Sequence, residues 1–126
     1  MARLVYRSGS ARDDNLTPRP GKDTAGKQGQ APGLSTFTTL EQAVLAGGKA
    51  QVIDLDLLGS PLHGYPYEVG FEGAVEGHVS IAPARSNGSV DHELLAEWAW
   101  TRNSEHSHWL TELIKQAHIG SVKRPR

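Results

Sequence analysis

The chain has 126 residues, of which 37% are hydrophobic and 21% charged, with no cysteine and a formal net charge of −1. That length fits one domain with a single core, and the composition excludes the disordered and fibrous classes. Without cysteine there is no disulfide framework and no thiolate chemistry. No apolar run approaches the roughly 20 residues needed to span a bilayer. The N-terminal segment Met1 to Arg7 holds no apolar stretch of signal-peptide length, so the expectation is no membrane partner and no export address.

Charge is spread unevenly. Residues 1–30 carry six Lys/Arg against three Asp, residues 31–120 carry four basic and eleven acidic residues, and residues 121–126 add three basic ones. A basic N-terminal segment on an acidic body predicts a meeting with a phosphate-bearing ligand. Residues 121–126 read as a basic tail beyond a single domain of residues 1–120.

In chain order, Leu4-Val5-Tyr6 predicts a first strand ending at Arg7. Ser8 to Gly33 is rich in Gly, Pro, Ser, Asp and Lys without apolar periodicity, which predicts a long loop, either functional or disordered. Leu34-Ser35-Thr36-Phe37 is a second short strand. Thr38-x-x-Glu41 and Thr39-x-x-Gln42 both match a capping box, with Leu40, Ala43 and Val44 on one face and Gly47-Gly48 as the stop. Ala50 to Leu55 predicts a strand, and residues 59–77 a second Gly/Pro/aromatic loop. His78-Val79-Ser80-Ile81 predicts a strand halted by Pro83, with a turn at Ser86-Asn87-Gly88. Asp91 caps a helix to about Thr101, with Leu94, Leu95 and Trp98 inward. A further helix from Ser107 to His118 presents Leu110, Leu113, Ile114 and Ala117 and ends at Gly120. Trp98, Trp100 and Trp109 read as core residues by their helical spacing. There is no internal repeat. Strands separated by long loops, with helices late in the chain, predict a small α+β domain with a central sheet and flanking helices.

Several residues carry potential chemistry. Arg7, at a strand end, can grip a pyrophosphate through its guanidinium fork, or be an ordinary surface arginine. Arg19 and Lys22, set among prolines in Pro18-Arg19-Pro20-Gly21-Lys22, can cradle a phosphate or lie in an exposed linker; the spacing is not that of a P-loop. Ser35 and Thr36 offer hydroxyls beside a ligand or as strand polar residues. Glu76 and His78, two apart at a strand start, point to one face and can share acid–base work. Six histidines include His92, His106 and His108, but no His-Glu-x-x-His spacing is present, so no metal is expected.

Taken in order, Leu4-Val5-Tyr6-Arg7, Pro18-Arg19-Pro20-Gly21-Lys22-Asp23, Gly33-Leu34-Ser35-Thr36-Phe37 and Gly77-His78-Val79-Ser80-Ile81-Ala82-Pro83 resemble the ADP-ribosyltransferase-like toxins. These occur as type VI secretion effectors and as C-terminal domains of Rhs-type polymorphic toxins. In that superfamily a first-strand arginine binds NAD, a serine-bearing strand frames the nicotinamide, and a glutamate precedes a later strand. The resemblance implies an ADP-ribosyltransferase-like fold with Arg7, Ser35, Glu76 and His78 as catalytic residues. It also implies that Arg7, Arg19, Lys22, Ser35, Thr36, Phe37 and Tyr65 hold NAD, with Tyr67 beside Tyr65 as a framing aromatic. Two departures stand out: Glu76-Gly77-His78 has His where the family's second Glu falls, and Arg7 to Ser35 is a short interval. The implied partners are a cognate immunity protein, a cytoplasmic target protein or RNA in the attacked cell, and a larger carrier within a secretion system. One rival uses the same residues differently, a metal-independent ribonuclease with His78 as base and Arg19 or Lys22 on the phosphate. A third reading is a non-catalytic immunity or binding protein, which would prefer an acidic or apolar face to a long basic loop.

Overall fold

The computed structural model describes residues 3–21, 32–59, 62–66 and 77–123. Within these residues six strands, β1 (Leu4–Ser8), β2 (Leu34–Phe37), β3 (Lys49–Asp54), β4 (Leu62–Pro66), β5 (His78–Pro83) and β6 (His118–Lys123), form one antiparallel sheet in the order β4-β5-β2-β1-β3-β6. Among the described residues three α-helices, α1 (Leu40–Gly47), α2 (His92–Trp100) and α3 (Glu105–Ala117), complete an α+β domain. Among the described residues no helix is long and apolar enough to cross a membrane.

The sheet separates two apolar layers. On one face Val5, Leu34, Ile53, Leu62 and Ile81 meet Leu95 and Trp98 of α2 and Leu110, Ile114 and Ala117 of α3. On the other, Tyr6, Phe37 and Ala50 pack against Leu40, Ala43 and Val44 of α1. Period-two alternation sorts them: Val5 and Arg7 point to the α2–α3 side, Tyr6 to the α1 side. Between α2 and α3, the Trp98 indole N–H donates to Thr111 Oγ1 at 3.0 Å, and Ser107 Oγ donates to the Trp98 carbonyl at 3.1 Å. These bonds satisfy the polar atoms that burial would otherwise penalise.

Each helix starts on an oxygen-bearing cap. Of the two capping boxes in the sequence, Thr39 is the N-cap of α1, with its hydroxyl accepting from the Gln42 amide. Asp91 and Ser104 cap α2 and α3 in the same way.

The structure corrects several expectations. Residues 62–66, expected in a loop, form edge strand β4 beside β5. The last helix, expected over Ser107 to His118, runs Glu105–Ala117, starting two residues earlier and closing within one residue of the expected end. Residues 121–123 of the supposed tail belong to β6, paired with β3. Leu55 leaves β3 for a 3-10 turn over Leu55–Leu57. Trp98 is fully buried, but Trp100 and Trp109 are 65% and 45% exposed, because they lie on the outward sides of their helices. The first part of the long loop is neither linker nor disordered: Leu16 is 1% exposed within the main core, and Thr17 and Pro18 are buried beside it.

Candidate anion-binding cleft

Arg7 is 7% exposed, yet its guanidinium is not isolated. Nε donates to the Asn15 carbonyl and Nη1 to the Ser35 carbonyl, each at 2.8 Å. The position follows from how β1 meets its neighbours. β1 keeps register with β3 over five pairs, but with β2 only at Tyr6–Phe37. Two residues along that register stand Ser8 and Ser35, whose carbonyls would serve the next rung of a ladder. They accept instead from side chains, Asn15 Nδ2 at 3.0 Å and Arg7 Nη1. The strands part there, and Arg7 stands at the parting.

The loop after β1 is folded back onto this point. Asn15 Nδ2 also donates to the Ser10 carbonyl at 2.6 Å, and the Asn15 and Leu16 amides both close onto the Arg12 carbonyl. Thr17 Oγ1 donates to the Asp13 carbonyl and lies 3.0 Å from Thr111 Oγ1. On the far side of β1, buried Gln51 donates to the Gly9 carbonyl at 2.8 Å and accepts from His118 Nε2 and Ser121 Oγ. Both flanks of the loop are thereby pinned.

The result is an open cleft of about 510 Å3 lined by Arg7, Ser10, Arg12, Asp14, Asn15, Arg19 and Lys49. Four of these carry positive charge and one negative. Arg12 and Arg19 are exposed at its mouth, Lys49 is half-buried, and Arg7 forms the inner wall. A guanidinium does not lose its proton in a protein, so the inner wall keeps its charge where water screens it least. Such a cleft has the charge to attract an anion, which a guanidinium fork could contact bidentately.

Of the residues anticipated from sequence, Arg7 and Arg19 line the cleft. Ser35 contributes its carbonyl to Arg7, while its side chain lies on the opposite face of β2 from Leu34 and Thr36. The Thr36 hydroxyl is buried and donates to the Val79 carbonyl at 2.7 Å. Phe37 and His78 sit opposite one another across β2 and β5, ring centroids 4.4 Å apart, on the sheet face that Tyr6 shares and Arg7 does not. Burial pushes the His78 pKa below its ordinary value, favouring neutral imidazole. Arg7 and His78 are therefore not brought together. Tyr65 lies on β4 opposite Ser80. Lys22, Tyr67 and Glu76 fall outside the described residues. Among the described residues no three His, Asp or Glu side chains form a group able to hold a metal ion, and His106 bonds Glu97 at 2.8 Å. Arg12, Asn15 and Lys49 were not anticipated; the positive balance of residues 1–30 is a signal for Arg12 but not for Asn15 or Lys49.

No protein-family model matches the chain, and neither a curated protein nor a solved structure is detectably similar to it.

Proposed function

We propose that the chain is an ADP-ribosyltransferase-like toxin domain whose Arg7 cleft takes the pyrophosphate of NAD. The observation that carries this reading is the buried Arg7 guanidinium, braced by two backbone carbonyls where β1 and β2 part, inside a cleft that Arg12, Arg19 and Lys49 make positive. Bracing matters because a clamp that is already ordered loses little freedom when the ligand arrives. A nucleophilic group on the acceptor attacks the ribose carbon as the bond to nicotinamide breaks. ADP-ribose passes to the acceptor, nicotinamide departs with the bonding pair, and the acceptor's proton passes to solvent or a base. Charge develops on the ribose, so a nearby carboxylate lowers the barrier; the resemblance gives that task to Glu76. Ser35 acts through its carbonyl on Arg7. His78 lies on the other face of the sheet from the Arg7 cleft, which weighs against the ribonuclease reading that pairs it with Arg19. In this reading a larger carrier delivers the domain through a secretion system to the target-cell cytoplasm, and a cognate immunity protein protects the producer.

The test is calorimetric titration of the purified chain with NAD, with nicotinamide release followed in a bacterial lysate. Saturable NAD binding and nicotinamide release are expected, together with growth arrest when residues 1–126 are expressed in bacterial cytoplasm. A folded chain that neither binds NAD nor slows growth would refute the proposal.

A further inference from the structure

The positive surface does not stop at the cleft wall. In the sheet register Arg7 faces Gln51, which in turn faces Ser121, and Lys49, two residues from Gln51, faces Lys123 on β6. Residues directly opposite in an antiparallel pair, and those two apart in one strand, share a face. Arg7, Lys49 and Lys123 therefore lie on the same face at the same end of three adjacent strands. Ser121 Oγ bonding to Gln51 Oε1 fixes that side for β6.

Like charges directly opposite one another repel. Among the described residues neither Lys49 nor Lys123 has an ion-pair partner. With adjacent strands about 4.8 Å apart, the row from β1 to β6 covers roughly 10 Å, and Arg12 and Arg19 widen it from the loop. One pyrophosphate occupies part of such a row; a chain of phosphates occupies all of it.

We infer that Arg7, Lys49 and Lys123, with Arg12 and Arg19, form a stripe that binds the phosphodiester backbone of a single-stranded nucleic acid. The inference rests on the transferase reading only in making that strand the acceptor of ADP-ribose; the stripe itself stands on register and charge. Repeating phosphates match a repeating row of cations, and their affinity comes largely from released counterions. Without NAD the strand reaches the whole row; when the pyrophosphate of NAD takes the Arg7 end, the strand keeps the Lys49–Lys123 end.

The test uses the purified chain and a short fluorescein-labelled single-stranded RNA, with DNA of the same sequence beside it, followed by anisotropy over a salt series. The logarithm of the affinity is expected to fall linearly with that of salt. Lys123→Gln should weaken binding about three- to tenfold and reduce the slope by about 0.7, the share of one phosphate contact on a single strand. It should leave NAD affinity as in the parent. Lys115→Gln removes the same charge from α3, where Lys115 bonds Glu112 and Asp13, and should change neither measurement. Equal binding of RNA and DNA would support a contact through phosphates alone, and tighter RNA binding would support RNA as the source. Equal affinity of parent and Lys123→Gln would overturn the inference, as would a labelled poly-glutamate peptide binding as tightly as RNA. RNA binding that depends on Lys123 in a chain that ignores NAD would support the stripe and refute the transferase reading.

Discussion

Replacing Arg7 with lysine keeps the charge and removes the fork. In the parent, Nε and Nη1 reach two carbonyls on separate segments, Asn15 in the loop and Ser35 in β2. One ammonium on a flexible stem cannot hold both in the same geometry. At least one charge-assisted bond at a nearly buried site is lost, worth about 1.5–3 kcal/mol. For a chain of this size each kcal/mol lowers the melting temperature by roughly 3–5 °C, so Arg7→Lys should melt roughly 5–15 °C below the parent. If Arg7 also grips the pyrophosphate, NAD affinity should fall by about one to two decades at temperatures where both proteins are folded. Calorimetric melting and NAD titration of the two proteins measure both effects. A variant with the parent's melting temperature would refute the bracing argument. One that melts early but binds NAD as well as the parent would leave Arg7 a structural residue and remove it from the proposed site.

Leu16→Ala should destabilise the chain by about 2–5 kcal/mol, read by urea unfolding, because Leu16 is a full member of the main core despite its polar neighbours; a loss below about 0.5 kcal/mol would mean that the loop is not packed. Burial depresses the His78 pKa, so the unfolded chain takes up that proton more readily than the folded one. Its contribution to stability is present above the ordinary histidine pKa of about 6.5 and is lost as pH falls through the lower folded value. His78→Phe should therefore flatten the decline in urea midpoint below that pH, and an unchanged decline would assign it to other groups. Gly77 has φ +81°, and a Cβ there would lie 2.8 Å from Gln42 Oε1. Gly77→Ala should cost about 1–3 kcal/mol by chemical denaturation, and a neutral result would show that α1 and the start of β5 are not held against each other.

The helices were legible because their signals are local. Thr39 and Asp91 announce the starts of α1 and α2, whereas the Ser104 cap of α3 was not read and that helix was expected only from Ser107; one apolar stripe names each buried side. β4 was hidden by Gly64 and Pro66, which argue against a strand when read alone. At Gly64 a side chain would press within 3.1 Å of both Leu55 and Val79, so the strand needs glycine where propensity disfavours it. β6 was hidden because its inward side is held by polar partners, His118 and Ser121 bonding Gln51, rather than by apolar burial. Its alternation carries no hydropathy signal. The same limit applies to the cleft. Arg7 stands out by its place at a strand end, whereas Lys49 and Asn15 reach it only through pairing of β1 with β3 and folding back of the loop. Neither event leaves a trace in local sequence.

The junction between α3 and β6 contains no spacer: the helix ends at Ala117 and the strand begins at His118. β6 is an edge strand with β3 as its neighbour, so in isolation it would fray early and its amides would exchange quickly. Without a linker to absorb the movement, lifting β6 pulls directly on Ala117, Ile114 and Leu110, all fully buried beneath the sheet. Strand and helix must then open together, as one cooperative unit whose opening exposes Leu110, Ile114 and Ala117 of the main core. An edge that would ordinarily breathe on its own is in this way tied to global unfolding, and Lys123 is presented by a strand whose opening requires loss of the fold beneath it.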